Sequence, residues 1–336
     1  EAGQSFTFVG VAKEPILSPL RGFSAPVKLK MEPARDDLAF RLAHDSDPFN
    51  RWEAGHQLAS GILLELVGEF QASRPMELPP VLVEAFAAAL ADRSADPALI
   101  AQTLTLPTES FLAEQMKEID PEAIHEARQF ARRELARQLR GEWEAIRQNL
   151  HCDREYSLEP TEVGRRSLKN LALAYLALLE EEPLIEMCMD QFRAADNMTD
   201  TISAMANLVN SDSDQREEAL AAFYYRWQDD PLVVDKWFSV QATSSRLDAL
   251  DQVQKLMQHS AFDIRNPNRV RSLIGAFSHG NPARFHDASG RGYWFLADRV
   301  LEIDRLNPQV AARLATVLTR WRRYEPIRRQ LMREQL

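Results

Sequence analysis

Glycine is scarce in this 336-residue chain, with 12 in all, and cysteine scarcer still, with Cys152 and Cys188 alone. Few glycines alongside abundant Ala, Leu, Glu and Arg favour helix over sheet. Two isolated cysteines exclude a disulfide framework and a Cys-x-x-Cys redox or zinc pair, and they point to a reducing, cytoplasmic setting. Both read as packing residues, not as catalytic thiols. No uncharged apolar run approaches the ~18 residues of a membrane span. The chain opens on Glu1 without a signal-peptide pattern, which reads as an excised piece. The formal net charge of −10 argues against nucleic acid or an anionic membrane as the main partner.

What is present is enough for a substantial core: 45% apolar and 27% charged residues, as in an ordinary globular protein. The first 31 residues differ from the rest. Ser5 to Val11 and Phe23 to Met31 have the β-branched and aromatic content of strands, separated by a loop with Pro15, Pro19 and Gly22. From Asp36 onward the periodicity is helical. Asp47-Pro48 is a cap followed by a first-turn proline, and Trp52, Ala59, Leu63, Leu66 and Phe70 follow at helix spacing. Glu122 to Leu150 predicts one long helix, and Leu168, Leu171, Ala172, Tyr175 and Leu179 mark another apolar stripe. Prolines recur at helix starts to the end of the chain. The sequence contains no repeat of fixed period, yet the succession of short helices predicts an irregular α-solenoid of stacked antiparallel pairs with one concave face free.

No complete catalytic or metal-binding motif appears. His125-Glu126 begins an HExxH pattern, but Gln129 stands where the second histidine is needed. His56, on the stripe after Trp52, reads as a hydrogen-bonded core histidine. The arginines of the Glu122 helix (Arg128, Arg132, Arg133, Arg137, Arg140, Arg147) interleave with glutamates and read as an ion-paired, solvated face. The C-terminal stretch, with Arg320, Arg322, Arg323, Arg328, Arg329 and Arg333, is the more basic one, and there a site for an anionic partner competes with arginines complementing a helix end.

The most distinctive segment joins two Asn-Pro helix starts. Asn266-Pro267 places Arg271 early in one helix, and Asn307-Pro308 places Gln309 and Arg313 four apart on one face of another. Planar guanidinium forks suit carboxylates and peptide carbonyls, although arginines at such positions also bridge neighbouring helices.

NPNRVRSLIGAFSHGNPARFH (Asn266 to His286), GRGYWFLADRV (Gly290 to Val300) and LNPQVAARL (Leu306 to Leu314) together resemble the C-terminal helical domain of bacterial aminopeptidase N, a zinc metallopeptidase. FSAPVKL (Phe23 to Leu29), ADNMTD (Ala195 to Asp200) and DKWF (Asp235 to Phe238) extend the resemblance over nearly the whole chain. It implies an ARM/HEAT-like solenoid cap domain over residues 32–336, preceded in 1–31 by the remnant of a small β-sandwich domain. It also implies that catalytic residues and zinc lie in a domain absent from this chain, which would itself be inactive and hold no cofactor. The partners it implies are the catalytic and β domains of the same polypeptide and peptide substrates, with Arg271, Gln309 and Arg313 facing the chamber beside the residues after the scissile bond. A stand-alone α-solenoid scaffold for protein partners fits the composition equally well.

Overall fold

The computed structural model describes residues 3–151 and 156–336. Cys152 lies outside these, and nothing structural attaches to its packing reading. The described chain is a succession of helices: α1 (Arg35–His44), α2 (Pro48–Gln71), α3 (Pro80–Ala91), α4 (Pro97–Thr103), α5 (Glu109–Gln115), α6 (Pro121–Gln138), α7 (Arg140–Leu150), α8 (Pro160–Leu176), α9 (Glu182–Ala194) and α10 (Met198–Asn210). There follow α11 (Gln215–Trp227), α12 (Pro231–Ala242), α13 (Ala249–Leu256), α14 (Pro267–Val270), α15 (Ala276–Gly280), α16 (Pro282–Phe285), α17 (Arg291–Asp304), α18 (Pro308–Thr319) and α19 (Pro326–Glu334). Proline occupies the first turn of most of them, behind a side-chain cap such as Asp47, Asp120, Asp230 or Asn307. There its missing N–H costs nothing and its fixed φ suits the helix.

Two sequence expectations fail locally. Ser5–Val11 and Phe23–Met31 form no β-ladder, and the only bridge among the described residues is an isolated one between Ile119 and Tyr324. A strand is stabilised by a neighbour that takes up its N–H and C=O groups, and no described segment pairs with these in a ladder, although the Phe23 ring packs on Phe49 of α2 at 4.7 Å. Phe6, Phe8 and Val9 are exposed. The stretch is anchored instead through Ser18, whose hydroxyl donates to Asp45 at 2.6 Å, and Asn50, whose amide donates to the Pro19 carbonyl at 2.8 Å. The helix expected over 122–150 breaks at Leu139 (φ −112°, ψ 26°) into α6 and α7. The break buries Trp143 completely, stacks it on Tyr175 with centroids 4.3 Å apart, and lets its indole N–H reach the Leu135 carbonyl. Burying so large a ring against a second one outweighs the loss of helix continuity.

Packing runs from each helix to near neighbours in sequence: α1 on α2, α2 on α6, α4 and α7 on α8, α8 on α10, α10 on α12 and α17 on α18. This is the layer-on-layer stacking of a solenoid. One apolar cluster extends from Leu38 to Met332 through all layers. Cys188 belongs to a smaller cluster with Leu173, Met189 and Leu208; it is fully buried, and burial pushes its thiol up to about 12. It packs as the sequence suggests.

The two most characteristic short motifs are structural. Asn197 caps α10 by accepting from the Asp200 N–H at 3.0 Å, and buried Asp200 accepts from Lys169 at 2.6 Å and Asn170 at 2.8 Å. Trp237 and Phe238 pack edge-to-face at 5.1 Å, while the neighbouring Asp235 pairs with buried Arg269.

The stack also curls until its end meets its first half. Ile119 N–H donates to the Arg323 carbonyl at 2.7 Å, and Glu325 N–H to the Ile119 carbonyl at 3.1 Å. Arg320 and Arg323 pair with Glu114, Arg329 with Glu118 and Arg328 with Glu122. Behind these pairs, buried His286 hydrogen-bonds Tyr293 at 2.9 Å and Tyr324 at 3.0 Å. Arg320, Arg323, Arg328 and Arg329 therefore close the ring, a use that neither sequence reading of the basic stretch included.

Candidate functional site

Arg271, Gln309 and Arg313 come together around one cavity of about 390 Å³, which Pro267, Gly275, His279, Asn307, Val310 and Leu314 complete. Asn266 caps α14 by accepting from the Asn268 N–H at 2.9 Å, and Asn307 caps α18 by accepting from the Val310 N–H at 3.2 Å. Those caps fix where each helix starts and hence the direction of its first turns. Between α14 and α15 the helix widens into a π-turn, Arg271–Gly275. Such turns add a residue to a helix, re-aim its side chains and recur at functional sites. The Ser239 hydroxyl on α12 lies 3.0 Å from the Ser272 carbonyl and supports the widened turn.

All three side chains are exposed. Arg271 Nε donates to the Pro267 carbonyl at 3.2 Å, which orients the guanidinium and leaves its outer donors unused. Neither Arg271 nor Arg313 forms an ion pair among the described residues. The bridging alternative open to these arginines is not the arrangement seen.

A larger cavity of about 890 Å³ lies at the centre of the curl. The C-terminal ends of α8, α10, α12 and α15 and one flank of α6 line it, and His279 borders both cavities. Helix C-termini direct partial negative charge inward. Arg246 answers it at the end of α10, donating to the Ser211 carbonyl at 3.0 Å, while Arg284 donates to the loop carbonyl of Ser245 at 2.6 Å.

The flank of α6 departs from the sequence reading. Arg137 and Arg140 pair with Glu134 and Glu144, as an ion-paired face should. Arg128, Arg132 and Arg133 make no ion pair among the described residues and face the central cavity. The curl turns this part of the helix inward, where sequence spacing gave only a charged face. Arg128 is spent on the Pro107 carbonyl at 2.8 Å, whereas Arg132 has only the Gln129 side chain, at 3.3 Å. Burial, followed by repulsion from Arg128, holds the Arg132 guanidinium down to about 10. The signal available in sequence was the Arg128–Arg132 spacing of four without an acidic residue one turn away on the same side.

His125 Nδ1 meets Glu109 Oε1 at 2.8 Å, and no group of three His, Cys, Asp or Glu side chains could hold an ion among the described residues. His56, expected to be hydrogen-bonded in the core, is half-buried between Trp52 at 5.2 Å and Phe111 at 4.4 Å, and burial lowers its pKa. Ring packing has replaced the polar partner. No helix among the described residues is long and apolar enough to cross a membrane.

Comparison with known proteins agrees with this architecture. A family model described as "Domain of unknown function (DUF3458_C) ARM repeats" matches residues 35–336. Over the full chain the sequence is 39% identical to aminopeptidase N of Escherichia coli (strain K12) and 40% identical to aminopeptidase N of Caulobacter vibrioides, covering 38% and 39% of those proteins. Aminopeptidase N of Haemophilus influenzae is 36% identical, with 38% covered. The crystal structure of Legionella pneumophila aminopeptidase A in complex with aspartic acid superposes with a TM-score of 0.82 at 33% identity, over 94% of this chain and 38% of that one. The chain thus spans about two fifths of the length of these relatives, belongs to the ARM-repeat family, and is the counterpart of the C-terminal domain of aminopeptidase N.

Proposed function

We propose that this domain is the non-catalytic wall of an aminopeptidase chamber, and that Arg271, Gln309 and Arg313 receive the peptide on the C-terminal side of the scissile bond. The observation that carries this reading is their convergence, exposed and without ion pairs, on one cavity beside the central hollow. A group meant for substrate must keep free donors, and charge-assisted contacts to carbonyls or a carboxylate are the strong ones. A concave wall also excludes folded proteins and bulk water and orients short peptides.

The parent polypeptide, in this reading, removes N-terminal residues from peptides in the cytoplasm. Its partners are its own catalytic and β domains and its peptide substrates. Zinc belongs to the catalytic domain, because the residues of this chain do not fit it: Gln129 replaces the second histidine and Glu109 occupies the first. This chain alone should neither hydrolyse aminoacyl chromogenic amides nor bind stoichiometric zinc.

The test compares two substrates in the full-length enzyme. Arg271→Ala or Arg313→Ala should lower kcat/KM for a tripeptide about ten- to a hundred-fold, the loss of one charge-assisted contact worth about 1.5–3 kcal/mol. A chromogenic aminoacyl amide, which has no residues on that side, should be nearly unaffected. Equal losses on both substrates would mean that these residues serve stability or closure, and the wall role would be wrong.

A further inference from the structure

We infer that the central cavity is a second ligand site, which binds a carboxylate group on Arg132 of α6. An arginine turned into a concave site ordinarily finds a carboxylate or a set of carbonyls for its donors. Arg128, Arg246 and Arg284 of this cavity do, while Arg133 is exposed to solvent. Arg246 pairs with Asp212 and Asp248 and caps α10, and Arg284 holds the Ser245 carbonyl. Arg132 has only a 3.3 Å contact to Gln129 from one arm of its fork; Arg128 and Arg133 repel it, and Glu109, which attracts it, is hydrogen-bonded to His125 instead. Helix C-termini do not account for it, because no described carbonyl accepts from it.

The acidic groups around the cavity do not fill the place. Glu109 is committed to His125, while Asp212 and Asp248 are committed to Arg246. Glu126 and Glu180 also line the cavity, but neither pairs with Arg132. A planar donor fork opening on a cavity of about 890 Å³ fits a carboxylate bidentately. Two sources share that chemistry: the C-terminus of an oligopeptide, and a free small dicarboxylate. His279 joins this cavity to the one around Arg271 and Arg313, so an extended peptide held at the proposed wall could place its terminus here. Only the peptide source rests on the substrate-wall reading.

The experiment is calorimetric titration of the full-length protein with succinate, and separately with an N-acetylated tetrapeptide acid and its C-terminal amide. The acetyl group removes the free amine that an aminopeptidase needs. Saturable binding of succinate or the peptide acid, weakened at least tenfold by Arg132→Gln and less by Arg132→Lys, supports the site. Arg128→Gln, which leaves Arg132 in place, guards against misfolding of the first variant and should weaken binding to a smaller extent. Succinate binding should persist in the Arg271→Ala/Arg313→Ala double variant, which separates this site from the wall. Binding of the acid but not the amide assigns the peptide terminus, and binding of succinate alone assigns the free dicarboxylate. If neither carboxylate binds, or if binding is unchanged in both Arg132 variants, the site does not exist.

Discussion

The His286 joint makes stability depend on pH in a defined direction. His286 is fully enclosed between Tyr293 and Tyr324, and burial with the Arg328 charge nearby holds its imidazole down to about 3 from an ordinary 6.5. Between those two values the unfolded chain binds a proton that the folded chain refuses, so stability rises with pH across that window and is lost as pH falls through it. At the linkage limit of about 1.36 kcal/mol per pH unit, lowering the pH from 7 to 5 removes about 2 kcal/mol through this one residue. His286→Gln keeps a donor and an acceptor for the two hydroxyls but cannot titrate. It should cost about 1–3 kcal/mol at pH 7, where one tyrosine partner is imperfectly placed. The gap from the native protein should then narrow by about 2 kcal/mol at pH 5. Urea unfolding of both proteins at the two pH values measures this directly. His56 and His259, whose pKa values burial also lowers, contribute to both proteins alike and cancel in the difference. An unchanged gap would show that His286 charges freely in the folded state, and the enclosed joint would be wrong.

Two further substitutions test the packing between layers. Asp200→Ala strands Lys169 and Asn170 beneath α10 and should destabilise by about 3–5 kcal/mol in the same urea assay, because a buried charge loses its partner. Gly292→Ala would put a methyl 2.2 Å from the Phe285 carbonyl oxygen, so the backbone of α16 or α17 must move; a loss of about 1–3 kcal/mol and a lower melting temperature are expected, and a neutral result would refute that close approach.

The local grammar of this fold was legible in sequence because it depends on neighbours a few residues apart. Asn307-Pro308 caps a helix wherever it occurs, and that placed Gln309 and Arg313 on one face before any tertiary contact was known. ADNMTD and DKWF likewise announced a cap and a buried aromatic pair. The break at Leu139 was barely legible, since the apolar periodicity of 122–150 is unbroken and Gly141 is its weakest helix former; the break follows from Trp143 meeting Tyr175, which lies 32 positions on. The expected strands at the start failed for the complementary reason, that strand propensity yields a ladder only beside a partner. Ring closure was least legible of all. Arg320, Arg328 and Arg329 read as a basic patch until Glu114, Glu118 and Glu122, some 206 to 211 positions away, are brought against them. The same closure turns Arg132 from an apparent surface charge into a guanidinium that faces the central cavity without an ion pair among the described residues. Helix starts, caps and apolar stripes were thus settled by sequence, because short-range sterics and hydrogen bonding decide them. Which charges are consumed and which remain free for a ligand was decided by tertiary structure alone, because curvature accumulates over many layers and no single stretch of sequence encodes it.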